Sequence, residues 1–123
     1  MPRYLFASHD GFGLGHVRRN ALVARAVLAA EPDAEIVIVT GLPMRPSWLG
    51  DLRVRVVGVP TLLKDSTGSY RHAELDFEQA IEQRASAFSD TVRSLRPDVV
   101  VIDRHPYGLA GELRPGLDLA RAD

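Results

Sequence analysis

The sequence predicts an α/β fold built on a mostly parallel sheet, and three observations predict it. Four short apolar runs have the length of strands, two longer stretches between them repeat apolar residues at helical spacing, and a glycine-rich turn follows the first run directly. Strands that alternate with helices pair in parallel through right-handed crossovers. The expectation is a Rossmann-like arrangement with helices on both faces and the strand order 3-2-1-4.

Tyr4 to Ala7 reads as the first strand, an apolar run stopped early by "DGFGLG". From Gly15 to about Ala30, Val17, Ala21, Ala24 and Leu28 form one helical stripe with Arg18 and Arg25 turned away from it. "EPD", Glu31 to Asp33, ends that helix. "EIVIVTG", Glu35 to Gly41, is continuously apolar, as a strand covered on both faces must be. "RVRVVGV", Arg53 to Val59, begins with polar alternation and so lies nearer a sheet edge, and Pro60 helps to end it.

"TLLKDSTGSYRHAE" holds turn formers without a sustained period and reads as a loop. A second long helix follows from about Glu74 to Leu95, with Phe77, Ile81, Phe88, Val92 and Leu95 as its core stripe. "PDVVVIDRHP", Pro97 to Pro106, is the fourth strand and ends in a charged turn; "GLAGELRPGLDLARAD" is a weak, interrupted helical tail.

The totals agree with one domain over residues 1–123. A net charge of -1 and an apolar fraction of 46% fit neither a polyanion binder nor a disordered chain, so nucleic acid is not the expected partner. With no cysteine, neither disulfides nor thiolate metal sites hold the fold, and no metal is expected. The apolar run in "MPRYLFAS" is far too short for a signal-peptide core or a membrane span, and the expected location is cytoplasmic.

Chemistry concentrates in "SHDGFGLGHVRRN", Ser8 to Asn20. The dinucleotide fingerprint fails twice there: His16 occupies the third glycine position counted from Gly11 and Gly13, and Thr40 and Gly41 stand where an acidic ribose ligand belongs. No "GK" followed by Ser or Thr occurs, which excludes a Walker loop. What remains is a glycine loop that brings backbone amides to a helix N-terminus, a place that favours an anion by roughly 0.3–2 kcal/mol.

His16 falls in the first turn of that helix, where the positive dipole end disfavours imidazolium and leaves a ring able to accept a proton. Asp103 closes the fourth strand. In the order 3-2-1-4 it neighbours the loop after strand one, at the point where open α/β sheets bind ligands, and it can fix the imidazole tautomer. The alternative for both is structural: His16 caps the turn, Gly11, Gly13 and Gly15 only bend the chain, and Asp103 caps the turn before "RHP".

Together, "SHDGFGLGHVRRN", "PDAEIVIVTG" and "PDVVVIDRHPYGLAGELRPGL" resemble the N-terminal half of GT-B glycosyltransferases. The broader relatives are the N-acetylglucosaminyltransferase of the lipid-linked peptidoglycan precursor and the macrolide and plant small-molecule enzymes. The resemblance implies a truncated acceptor domain, with the C-terminal donor domain absent, and a nucleotide sugar as co-substrate rather than a bound cofactor. It implies catalytic roles for His16 and Asp103 and substrate contacts at Gly11, Gly13 and Gly15, joined by the polar residues His9, Asp10, Arg19 and His105. A non-catalytic module that binds a phosphate- or sugar-bearing ligand or a partner chain stays open beside the enzyme. The fourth strand would sit inside a complete domain, so its apolar edge is expected either to pair with a second copy or to be covered by the tail from Gly108 onward.

Overall fold

The computed structural model describes residues 2–8, 15–41, 49–50, 52–64, 66–67, 69–102, 107–108 and 110–122, with the backbone alone at 15–17, 64, 71 and 122. In chain order the elements are β1 (Arg3–Ala7), α1 (Gly15–Ala30), β2 (Glu35–Thr40), β3 (Arg55–Gly58), β4 (Leu63–Lys64), β5 (Tyr70–Arg71), α2 (Phe77–Leu95), β6 (Val99–Ile102) and α3 (Arg114–Ala122). The main sheet runs β3-β2-β1-β6, every pair parallel. This is the expected order, with β6 as its fourth strand.

Two apolar layers, one on each face, hold the sheet. Alternate residues of a strand point to opposite faces. Phe6, Ile36 and Ile38 meet Ala21 and Ala24 of α1 on one side, while Leu5, Ala7, Val37 and Val39 meet Phe88, Val92 and Leu95 of α2 on the other. Double cover is why β2 reads as an unbroken apolar run: five of its six residues are buried. Full burial of a side chain such as Leu5, Phe6 or Phe88 contributes about 1.5–3 kcal/mol each.

The predicted stripe of α1 holds at Ala21, Ala24 and the partly buried Leu28, with Arg18 and Arg25 exposed. On α2 the stripe holds at Phe88, Val92 and Leu95, but Phe77 is exposed. It occupies the first turn of a helix that starts three residues later than expected. His72 Nδ1 accepts from the backbone N–H groups of Glu74 and Leu75, turning the chain there. Asp76 then caps α2, accepting from Gln79 N at 2.8 Å while Gln79 Oε1 accepts from Asp76 N, a reciprocal capping box.

Two other segments are more ordered than their sequence suggests. The stretch read as a loop contains the antiparallel pair β4–β5, whose two-residue strands are too short to show a period. The tail forms α3, with Pro115 in its first turn, where a missing N–H costs nothing. Gly116 lets α3 close on α2, since a Cβ there would run into the Phe88 ring.

The amino end of the sheet is knitted by local contacts. Glu35 N donates to Pro2 O, Asp98 N to Arg3 O, and Arg3 N to Asp98 Oδ2. A shallow hollow there is lined by Arg3, Arg96, Pro97, Asp98 and Ala120, which sets the far end of α3 beside the start of β1.

Candidate functional site

The crevice of interest lies at the carboxyl ends of the strands. β1 and β6 are in register up to Ala7 and Ile102, and Ser8 N extends the ladder on the other side by donating to Val39 O at 3.1 Å. α1 returns antiparallel to the strands, so its first residues, Gly15 and His16, stand at this end. Its first turn carries no acidic residue, and the N–H groups of a first helical turn, which find no partner inside their own helix, make this end of α1 electropositive. α1 leaves β1 toward β2 while α2 feeds β6 on the far side, so β1 and β6 meet at the point where the winding reverses.

Three polar side chains are buried at this end of the sheet or close to it. Ser8 and Thr40 follow or close β1 and β2, and Asn20 sits on the covered face of α1. The Nδ2 of Asn20 meets no acceptor among the described residues. Thr40 O accepts from Val59 N, and Gly41 O accepts from the Thr61 hydroxyl, which ties the exit of β2 to the chain leaving β3.

On the α2 face the same end opens into a groove of about 540 Å³, lined by Phe77, Ile81 and Ala85 with Glu78, Glu82 and Gly111. Its size is that of small-molecule sites. The groove wall after β6 is held by Glu112. Its Oε2 accepts from Arg84 Nε at 2.9 Å, its Oε1 from Ala110 N at 2.9 Å, and Arg84 Nη1 donates to Pro60 O at 3.0 Å.

Of the residues expected at the site, Gly15 and His16 are placed as the start of α1, and Arg19 is exposed one turn on. His9, Asp10, Gly11, Gly13, Asp103 and His105 lie outside the described residues, as does the side chain of His16. Ile102, the residue before Asp103, reaches the same corner as Ala7.

The fold has counterparts among solved structures. A UGT transferase from Siraitia grosvenorii, in complex with UDP, matches with a TM-score of 0.52 at 13% identity over 92% of this chain and 26% of that one. MurG of Acinetobacter baumannii matches at 0.59 and 16% over 98% and 32%. Phytolacca americana UGT2, complexed with UDP-2fluoro-glucose and pterostilbene, matches at 0.57 and 16% over 94% and 29%. The fold is that of a GT-B glycosyltransferase fragment. This chain spans about a quarter to a third of the length of these proteins. No family model matches the sequence, and no curated protein sequence does. No helix among the described residues is long and apolar enough to cross a membrane.

The GT-B comparison leaves one prominent pair that sequence reasoning missed. Arg84 stands in the apolar stripe of α2 between Ile81 and Phe88, and a charge at a core position demands a partner. That signal was available. The partner, Glu112, was hidden in a glycine-rich stretch that reads as an interrupted helix.

Proposed function

We propose that this chain is the acceptor side of a glycosyltransferase that moves a sugar from a nucleotide-sugar donor to an acceptor hydroxyl. The observation that carries the reading is the switch-point crevice between β1 and β6, with the N-terminus of α1 opening into it. Of the structurally similar proteins, one is in complex with UDP and another with UDP-2fluoro-glucose and pterostilbene.

In this reading His16 takes the proton from the acceptor hydroxyl as the oxygen attacks the sugar's anomeric carbon, and the nucleoside diphosphate leaves. Asp103 holds the second imidazole nitrogen and steadies the positive charge that His16 acquires. The electropositive start of α1, with Gly11, Gly13 and Gly15, faces the diphosphate side of the reaction, where negative charge grows. Substrate contacts fall in this reading to His9, Asp10, Arg19 and His105, and the groove beside α2 has room for the body of an acceptor.

The test is transfer of labelled sugar from a panel of nucleotide sugars to hydroxyl acceptors by the whole gene product. Turnover supports the reading, and binding without turnover replaces it with a non-catalytic binding module. Residues 1–123 alone are expected to transfer nothing, because one side of a two-sided cleft cannot position the donor.

A further inference from the structure

The groove beside α2 sets an apolar row next to an acidic one. Phe77, Ile81 and Ala85 stand four residues apart and follow one line along the helix, while Glu78 and Glu82 follow the next line round it. Phe77 stays 39% exposed, a large ring that the fold itself leaves uncovered. Across the groove Ala110 and Gly111 bring no side-chain charge, and the carboxylate of Glu112 is taken up by Arg84 and by Ala110 N. No basic residue lines the space among the described residues.

Neither Glu78 nor Glu82 has an ion-pair or hydrogen-bond partner among the described residues. The fold accounts for one of these carboxylates and not for the other. Glu78 lies in the first turn of α2, where the helix dipole favours negative charge. Glu82 lies a turn further in, where that effect has faded, and at four residues from Glu78 it faces a like charge that repels it. An occupant with positive charge supplies a partner to both.

Its chemistry can be narrowed. A metal ion is held by several ligands, and no group of three or more acidic, histidine or cysteine side chains fit to hold one comes together among the described residues. An organic ammonium needs only the two carboxylates, and the apolar body that carries it covers Phe77 and Ile81. A space of about 540 Å³ is the size of a small-molecule site.

We propose that Glu78 and Glu82 make the groove selective for a cationic acceptor, a hydroxyl-bearing molecule with an apolar body and a protonated amine that lies between the two carboxylates. Only its role as acceptor rests on the glycosyl-transfer reading. The selection by charge rests on the groove.

The experiment is a titration of isotope-labelled residues 1–123, followed by amide NMR, with three phenols of similar size. Tyramine carries an ammonium, para-ethylphenol is neutral, and para-hydroxyphenylpropionate carries a carboxylate. Tyramine is expected to shift the amides of Phe77 to Ala85 and of Ala110 to Glu112, and to bind about tenfold more tightly than para-ethylphenol, as two partly exposed charge contacts allow. The propionate is expected to bind more weakly than either. In the double variant Glu78→Gln, Glu82→Gln, tyramine is expected to fall to the affinity of para-ethylphenol, whose own binding stays at the wild-type level.

The proposal is overturned if tyramine and para-ethylphenol bind the wild type equally, if the double variant keeps the preference for tyramine, if the shifts fall outside the groove, or if none of the phenols binds. Loss of both ligands in the double variant overturns it too, since the glutamates then hold the shape of the groove and not its charge. Failure of sugar transfer by the whole gene product bears on the glycosyltransferase reading alone and leaves the charge preference standing.

Discussion

Arg84 on α2 and Glu112 ahead of α3 form an ion pair at 2.9 Å with side chains only 6% and 0% exposed. Through Pro60 O and Ala110 N the pair joins the exit of β3 to the segment that follows β6. Removing one partner strands a buried charge, which costs about 3–5 kcal/mol. Arg84→Met and Glu112→Met are each expected to lose about this much in urea unfolding. The double variant is expected to lose less than either single one, because no charge is left unpaired. Additive losses would show that the two residues act independently.

Gly116→Ala places a methyl against the Phe88 ring, where α3 has no room to retreat without losing its contacts with α2. The expected cost is about 1–3 kcal/mol. Phe88→Leu in the same chain is expected to recover part of it, read as a smaller combined loss than the sum of the two single losses.

Tyr4 donates its hydroxyl to Glu31 Oε1 at 2.7 Å, tying β1 to the end of α1. That hydrogen bond, with the nearby negative charge of Glu31, raises the phenol pKa. A raised folded-state value means that the contribution is complete below the unfolded phenol range, near about 10, and disappears as pH rises through the folded value. Stability is therefore expected to fall on the alkaline side. In Tyr4→Phe this part of the alkaline decline should be absent, as followed by melting temperature from pH 8 to 11.

For the catalytic proposal, His16→Ala in the whole gene product is expected to lower kcat by about 10²–10⁴-fold while KM for the acceptor changes little, since a general base acts on the transition state. Equal losses in kcat and in acceptor binding would assign His16 a structural role.

Among the described residues β6 pairs with β1 alone, and Val100 and Ile102 share an apolar cluster with Leu117 and Ala120 of α3. An open apolar edge is a template for pairing. Sedimentation velocity of residues 1–123 is expected to show a dimer that Val99→Lys returns to a monomer, Val99 being 41% exposed at that strand. A wild type that stays monomeric at high concentration removes the proposal.

Legibility followed burial. β2 could be read because cover on both faces leaves no polar position, β6 because its four residues are all apolar and β-branched, and α1 and α2 because one-sided cover leaves a stripe. The β4–β5 hairpin escaped because two residues carry no period, and α3 because Pro115 and Gly116, which break helices in isolation, serve here as an N-terminal residue and a close contact. Phe77 was misjudged because a residue at helical spacing from the core can still overhang the sheet. At the crevice, the start of α1 was legible from glycine followed by a helical stripe.

The hollow framed by Arg3, Arg96, Asp98 and Ala120 fixes a geography for the whole molecule. Pro2 and the end of α3 both emerge at the amino pole of the sheet, and the crevice opens at the opposite pole. A tag, a surface anchor or a fused protein joined at either of these points therefore leaves on the blind side of the molecule. An immobilised chain would present its crevice outward, free for ligands to enter.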